Sequence, residues 1–132
     1  MDRVFIDSSV LIAAALRENS HLAGNLARTD VGFLVSPYVL WEAQNNLPER
    51  GQRIRLVQIT NGIEQVRGTL AGFATNINLP EKDIPVMLGA IKGKATHLIT
   101  LDKSHFGPYF GQTVDGICIV QAVDYFVSLG PE

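Results

Sequence analysis

Short, mainly apolar runs alternate along the chain with longer segments whose apolar residues recur at helical spacing. The short runs are rich in β-branched and aromatic residues, as are strands that are buried on both faces of a parallel sheet. They occupy residues 4–6, 33–35, 97–101 and 117–120. Strands that alternate with helices predict an α/β domain in which a central, mainly parallel sheet is flanked by helices.

Two helices carry clear start signals. In Ser36-Pro37 a capping hydroxyl precedes a proline suited to the first helical position, which predicts a helix over 38–46. Ser20 is a similar candidate for the cap of a shorter helix. The last strand is followed by an apolar segment, 122–129, that predicts a final helix.

The middle of the chain is defined by apolar spacing alone. We expect residues 51–66 to form a helix, because Ile54, Val57 and Ile63 are spaced to share its buried face. Residues 68–78 show no period that predicts either a helix or a strand.

Another helix is expected after the loop that contains Asp83. Its predicted buried stripe consists of Ile84, Met87, Leu88 and Ile91. Its small residues are Gly89, Ala90 and Gly93. Small residues on one side of a helix favour close packing on a sheet or on another helix.

Length and composition limit the class of protein. A chain of 132 residues predicts one domain that covers residues 1–132. Only 18% of the residues are charged, below the usual ~25%, which leaves room for an apolar interface and makes us expect a homodimer or a tight partner. The net charge of -2 gives no overall basic surface, so contact with nucleic acid must depend on local basic clusters or on bound cations.

The single cysteine and the apolar runs indicate the compartment. Cys118 lies within an apolar run, so we expect a buried, reduced thiol and no disulfide within the chain. No apolar run reaches the ~20 residues of a membrane span. The first residues already have strand and helix character, which leaves no signal peptide and predicts a cytoplasmic protein without membrane contact.

Four acidic residues stand out by position. Asp7 and Asp102 each end an apolar strand, and strand ends of one parallel sheet meet at the same edge. Glu42 lies inside an otherwise apolar helix, and Asp83 opens the helix that leads into the Asp102 strand. Four converging carboxylates repel one another unless a cation lies between them, and oxygen ligands suit Mg²⁺, Mn²⁺ or Ca²⁺. Taken singly, Glu42 has the alternative of a solvated edge position and Asp83 that of a helix cap.

At these residues the chain resembles the PIN-domain family. The resemblance rests on residues 4–11, 36–42, 83–90 and 95–107, and it is strongest at 83–107. It implies a small α/β nuclease whose metal-binding, catalytic acids are Asp7, Glu42, Asp83 and Asp102, with Mg²⁺ or Mn²⁺ as the cofactor. By the same match, Ser8 and Thr100 are supporting hydroxyls near the site.

Stand-alone PIN domains of this length resemble the toxin ribonucleases of bacterial toxin–antitoxin pairs, the VapC type. This resemblance implies an RNA substrate and a small antitoxin as partner. Candidates for contact with RNA phosphates are Arg50, Arg53, Lys103 and His105. A solvated helix start explains the two arginines equally well, and Lys103 has the alternative of pairing with a site carboxylate.

Two other functions remain open from the residues. In the first, the fold is a binding module that acts through a protein partner without catalysis, although such a module has no need to keep four acids together. In the second, the chain is a phosphoacceptor receiver domain, which requires paired acids after the first strand. Only Asp7 follows the first strand here, and this disfavours the receiver. Metal-dependent cleavage of RNA distinguishes the enzyme from the binding module.

Overall fold

The computed structural model describes all of residues 1–132. The strands are β1 (Arg3–Ile6), β2 (Gly32–Val35), β3 (Glu64–Gln65), β4 (His97–Thr100), β5 (Thr113–Val114) and β6 (Ile117–Gln121). The helices are α1 (Ser8–Ala15), α2 (His21–Leu26), α3 (Pro37–Asn45), α4 (Arg50–Thr60), α5 (Ile84–Lys92) and α6 (Ala122–Leu129). Two 3₁₀ turns, Glu81–Asp83 and Gly107–Tyr109, complete the chain, and no helix is long and apolar enough to cross a membrane.

One six-stranded sheet forms the centre, in the order β3-β2-β1-β4-β6-β5. Every neighbouring pair is parallel except β5–β6. The prediction of a mainly parallel sheet built from the four apolar runs is therefore confirmed. Because β1 and β4 are neighbours, with Ile6 opposite Ile99, the residues that follow them meet at one edge.

Helices cover both faces of this sheet. Phe5 and Leu34 are paired and point to one face, where α5 packs; a Cβ on Gly89 would lie 3.0 Å from Phe5 Cζ. Phe33 precedes Leu34 in β2 and so points to the opposite face, where its ring lies 6.2 Å from that of Phe126 in α6. The expectation that small residues allow α5 to pack closely on the sheet is confirmed at Gly89.

The predicted helix over 51–66 is too long. The helix ends at Thr60, and Gly62 adopts a φ of 86°, which only glycine tolerates readily. The chain then turns back along the sheet, and β3 pairs with β2 in the register Leu34 opposite Glu64. Residues 61–66, which the apolar spacing had placed in the helix, form a turn and an edge strand instead.

The predicted buried face of this helix is also wrong. Ile54 and Val57 are 47% and 68% exposed, whereas Gln52 and Leu56 are buried. The reason is the packing of α4 on α1, where the Gln52 side-chain amide donates to the carbonyl of Leu16. A polar residue thus takes a buried place because it satisfies the carboxyl end of a neighbouring helix.

The buried stripe of α5 is shifted from the predicted one. Met87 is fully buried as expected, but Ile84, Leu88 and Ile91 are only partly buried. The other buried residues of this helix are Val86, Gly89 and Ala90. The helix turns its small residues toward the sheet, since this brings the backbones close, and its larger residues lie to the sides.

A hairpin at the end of the sheet was not predicted. β5 and β6 are joined by Asp115 and Gly116, whose φ angles of 53° and 79° suit a tight hairpin turn. Along β6, Ile117 and Ile119 are buried while Cys118 between them is only half-buried. The expectation of a buried thiol is therefore wrong, although the cysteine is free as predicted.

Candidate active site

Asp7 is the most enclosed of the four acids, at 5% exposure. It follows β1 and caps α1, accepting a hydrogen bond at Oδ1 from the Ser8 amide at 2.9 Å. Its Oδ2 accepts from the hydroxyls of Thr100 at 2.7 Å and Ser9 at 2.8 Å. Burial raises the pKa of Asp7, and the negative charge of Asp83 raises it further, while these hydrogen bonds act in the opposite direction.

The same two hydroxyls join the ends of β1 and β4. Thr100 Oγ1 accepts the amide of Asp102 at 3.0 Å, and Ser9 Oγ accepts the amide of Leu101 at 3.0 Å. Each hydroxyl thus donates to Asp7 and accepts from the chain that leads to Asp102. The strand ends are held in a fixed relation, and with them the two acids.

Glu42 reaches the edge from α3. It is half-buried, and its Oε1 accepts a hydrogen bond from the Ser8 hydroxyl at 3.3 Å. Burial raises its pKa, with smaller contributions from the charges of Asp7 and Asp83. A freely solvated position for Glu42 is therefore excluded.

Asp83 ends the 3₁₀ turn that precedes α5 and is 8% exposed. It is the N-cap residue of α5, but its side chain makes no capping hydrogen bond. Burial raises its pKa, Asp102 adds to this effect, and the neighbouring His105 lowers it. The alternative that Asp83 is present only as a helix cap is therefore wrong.

Asp102 shapes the turn that follows β4. Its Oδ1 accepts hydrogen bonds from the amides of Ser104 at 2.9 Å and His105 at 3.0 Å. This turn brings His105 between two carboxylates, with Nδ1 2.8 Å from Asp83 Oδ2 and 3.1 Å from Asp102 Oδ2. The nitrogen and both oxygens lie within 4.8 Å of one another, close enough to share a metal ion.

The four acids form one electrostatic cluster. The charge of Asp83 raises the pKa of both Asp7 and Glu42, and the charge of Asp102 raises that of Asp83. His105 is the one basic side chain within ion-pair distance of any of them. The more distant charge of Lys82 lowers the pKa of Glu42 and Asp83 without reversing the effect of burial. The donor set fits a divalent cation, because Asp83 Oδ2 is buried and has no hydrogen-bond partner.

The basic residues predicted to contact phosphates have different surroundings. Lys103 is exposed beside Asp102, and Arg50 is exposed at the first turn of α4. Arg53 donates from Nη1 to the carbonyls of Leu47 and Pro48, both at 2.9 Å, so part of its guanidinium serves the end of the preceding segment.

Sequence reasoning missed two side chains at this edge. Ser9 was not singled out, although it holds the carboxylate of Asp7, and His105 was considered only as a phosphate contact. The histidines lack ligand spacing along the chain, because the partners of His105 come from a turn and from a distant segment. The hydroxyl at Ser9 was detectable in principle, since it lies two residues after a strand-ending acid.

Comparison with known proteins supports the architecture. No protein-family model matches the chain, and no curated protein matches it. Among solved structures, a chain of the crystal structure of VapBC2 from Rickettsia felis, bound to a DNA fragment from their promoter, is similar with a TM-score of 0.60 and 13% sequence identity. The match covers 90% of this chain and 98% of that one. At this identity the likeness concerns the fold, and it confirms the predicted PIN-like α/β fold.

Proposed function

We propose that the chain is a metal-dependent endoribonuclease that hydrolyses RNA phosphodiester bonds. Its catalytic, metal-binding residues are Asp7, Glu42, Asp83 and Asp102, with Mg²⁺ or Mn²⁺ as the cofactor. The observation that carries the proposal is the group of four acids at the carboxyl edge of a parallel sheet, where the charge of Asp83 acts on Asp7 and Glu42 and that of Asp102 acts on Asp83. Ligands commonly bind at this edge in α/β folds.

The electrostatics of the cluster support a bound cation. Burial and mutual repulsion raise the pKa of three of its members, which is costly for a fold unless a positive charge compensates. Held by these oxygens, a divalent ion would supply an activated water and stabilisation of the leaving oxygen of a phosphodiester. Clusters of perturbed carboxylates of this kind are typical of functional sites.

The neighbouring groups keep the acids in place. The hydroxyls of Ser9 and Thr100 orient the carboxylate of Asp7, and the hydroxyl of Ser8 orients Glu42. Backbone amides after Asp102 hold its Oδ1 and leave Oδ2 turned toward the cluster. Such preorganisation keeps negatively charged groups ready to receive a cation without rearrangement.

RNA would approach the exposed side of this edge. Lys103 follows Asp102 directly and His105 lies three residues after it. In our proposal both contact the phosphates next to the bond that is cut. Arg50 and Arg53 at the start of α4 contact more distant phosphates. Such contacts position the backbone and carry little sequence information.

We further propose that the protein is the toxin of a toxin–antitoxin pair and also forms a homodimer. The similar fold occurs in a complex named VapBC2, and this chain exposes apolar side chains that a partner would cover. Val123 and Val127 on α6 are 54% and 74% exposed, and Ile54 and Val57 on α4 are also exposed. Sedimentation of the isolated protein, and of the protein with a co-expressed small antitoxin, measures both associations.

The decisive experiment is RNA cleavage. A mixed RNA pool is incubated with the wild type in Mg²⁺, Mn²⁺ or EDTA, and in parallel with Asp7→Asn and with Asp30→Asn. We expect cleavage by the wild type with either ion, none in EDTA and none by Asp7→Asn. Asp30 lies just before β2, at the opposite end of the strands, so Asp30→Asn is the matched control and should keep its activity.

Two results would reject parts of the proposal. If the folded wild type cuts no RNA with either ion but still binds a protein partner, the ribonuclease proposal is rejected in favour of a PIN-fold binding module. If Asp7→Asn cuts as well as the wild type, the assignment of the catalytic acids is rejected.

A further inference from the structure

We propose that His105 is itself a metal ligand and that, with Asp83 and Asp102, it makes the site bind divalent transition ions in preference to Mg²⁺. The three ligand atoms are Nδ1 of the histidine and Oδ2 of each aspartate. This inference rests on the metal site of the proposed function and specifies which ions that site prefers.

The two distances from His105 Nδ1 are those of neighbouring ligands in a coordination shell. Nδ1 lies 2.8 Å from Asp83 Oδ2 and 3.1 Å from Asp102 Oδ2. Adjacent ligands at right angles around an ion with bonds of about 2.1 Å are separated by about 3.0 Å. Both nitrogen–oxygen distances therefore match those of neighbouring ligands, and the two oxygens lie within 4.8 Å of each other.

The contacts are close, yet they lack the geometry of hydrogen bonds. His105 Nδ1 and Asp83 Oδ2 are both buried atoms without a hydrogen-bond partner. Asp83 as a whole residue is 8% exposed and its side chain is 11% exposed, and the oxygen without a partner faces the ring nitrogen. A buried polar atom without a partner is costly and rare, and a shared cation removes that cost for the nitrogen and the oxygen together.

The position of the ring is built into the fold. Asp102 Oδ1 accepts the His105 amide, so the same residue that offers Oδ2 also fixes the backbone of the histidine. The next residue, Phe106, is fully buried and anchors the turn in the core. The ring is thus held toward Asp83 by the backbone and the core, and not only by attraction between the side chains.

The donor type carries the selectivity. Mg²⁺ binds oxygen and retains its waters, whereas imidazole nitrogen suits later first-row ions, whose affinity rises from Mn²⁺ to Co²⁺ and beyond. A site of four carboxylates alone lacks a donor of this kind. The inclusion of Nδ1 therefore shifts the preference away from Mg²⁺.

The test measures Co²⁺ and Mg²⁺ binding to the protein without RNA. Each ion is titrated by calorimetry, and the visible absorption of bound Co²⁺ reports whether nitrogen is a ligand. We expect His105→Asn to lose at least tenfold in Co²⁺ affinity and to change the Co²⁺ spectrum, while Mg²⁺ binding changes less than threefold. The exposed His21 on α2 supplies the matched control, His21→Asn, which should bind both ions as the wild type does.

Thermal melts in EDTA establish that each variant is folded, and His105→Gln provides a second variant if the asparagine is not. The inference is overturned if the folded histidine variants bind Co²⁺ with wild-type affinity and spectrum, or if the wild type binds no Co²⁺. Mg²⁺-dependent RNA cleavage in that case leaves the proposed function standing. Conversely, His105-dependent Co²⁺ binding without RNA cleavage by any ion upholds the inference and rejects the proposed function.

Discussion

Two groups of carboxylates in this molecule have pKa values shifted in opposite directions. The site acids Asp7, Glu42 and Asp83 have raised pKa values, and the first cause in each is burial. A second group, the fastening acids Asp30, Asp115 and Glu132, lies near the surface and has lowered pKa values. The fastening acids stabilise the fold by being charged, whereas the site acids are charged at a cost.

The fastening acids have donors for their oxygens. Asp115, in the hairpin turn, accepts from the Thr75 hydroxyl at 2.6 Å and from the side-chain and backbone nitrogens of Asn76 at 2.7 and 3.1 Å. It thereby anchors a stretch that contains neither helix nor strand. Asp30 receives two hydrogen bonds from Arg28, at 2.9 and 2.7 Å.

The difference teaches which carboxylates are kept for a reason other than stability. Donors alone do not distinguish the two groups, because Asp7 accepts three hydrogen bonds, as Asp115 does. The groups differ in burial and in the charge of their neighbours. A fold that buries an acid near other acids, without a lysine or arginine partner, has a cost that a ligand can offset. The acids at the carboxyl edge are buried in this way. Substitutions in the site acids and in the fastening acids therefore test the contrast between the two groups.

The largest effect is expected from metal binding. An ion that binds only the native state stabilises it by about 2.7 kcal/mol at ~100 times its dissociation constant, and Mn²⁺ should raise the melting temperature of the wild type accordingly. Asp102→Asn should lose most of this response. It should be at least as stable as the wild type in EDTA, because an asparagine Oδ1 still accepts the amides of Ser104 and His105.

Paired thermal melts in EDTA and in Mn²⁺ measure both quantities. The fastening variant Asp30→Asn is the control and should respond fully to Mn²⁺. A clear loss of stability in EDTA together with a full Mn²⁺ response would show that Asp102 is structural, and the metal site would then be misplaced.

The next largest effect is expected at the hydroxyl that connects two site acids. Thr100 is fully buried, donates to Asp7 and accepts the amide of Asp102. Thr100→Val keeps the shape but leaves the amide and the carboxylate without this partner, so the free energy of unfolding should fall by about 2 kcal/mol. Urea denaturation in EDTA measures this loss, and Thr113→Val on the exposed edge strand is a control that should change stability by less than about 0.5 kcal/mol. An unchanged midpoint for Thr100→Val would mean that water or another group replaces the hydroxyl.

A smaller loss is expected among the fastening acids. Asp115→Ala removes the acceptor of three hydrogen bonds at an exposed position and places alanine at a φ of 53°, so we expect a loss of about 1–2 kcal/mol. Asp115→Asn keeps a residue that tolerates this backbone and should lose less than about 1 kcal/mol. Urea denaturation measures both losses, and equal losses would mean that the left-handed backbone at residue 115 adds nothing to the cost of alanine.

The strand-ending acids were accessible to sequence reasoning because their positions follow from local pattern. A buried run that ends on an acid places Asp7 and Asp102 at one edge once the sheet is known to be parallel. Glu42 was recognisable as a charge inside an apolar helix. The contacts of His105 with Asp83 and Asp102 were not accessible, since they depend on the path of a turn and on a partner far away in the sequence.

The fold was predicted less well where the packing of a neighbouring helix decides which residues are buried. The apolar spacing of Ile54 and Val57 pointed to a buried face, yet α4 buries Gln52, because that side chain satisfies a carbonyl at the end of α1. No property of α4 alone contains this information. The hairpin at Asp115-Gly116 differs, because this pair is a strong local turn signal that the sequence analysis did not use.

The smallest effects, and the sharpest test of the contrast, are expected in the pH dependence of stability. The pKa of Asp7 is raised above its ordinary value of 3.8, so in the metal-free protein its contribution to stability is fully present below that value and is lost as the pH rises through the folded pKa. The pKa of Asp115 is lowered, so its contribution is present above 3.8 and is lost as the pH falls through the folded pKa. Asp7→Asn should therefore be more stable than the wild type at about pH 7 and lose this advantage toward about pH 4, because asparagine still caps α1. Asp115→Asn should show the opposite, a deficit at neutral pH that shrinks in acid. Urea midpoints in EDTA across this range give the pH dependence of the stability difference between each variant and the wild type. Differences that change in the same direction with pH would contradict the contrast between Asp7 and Asp115.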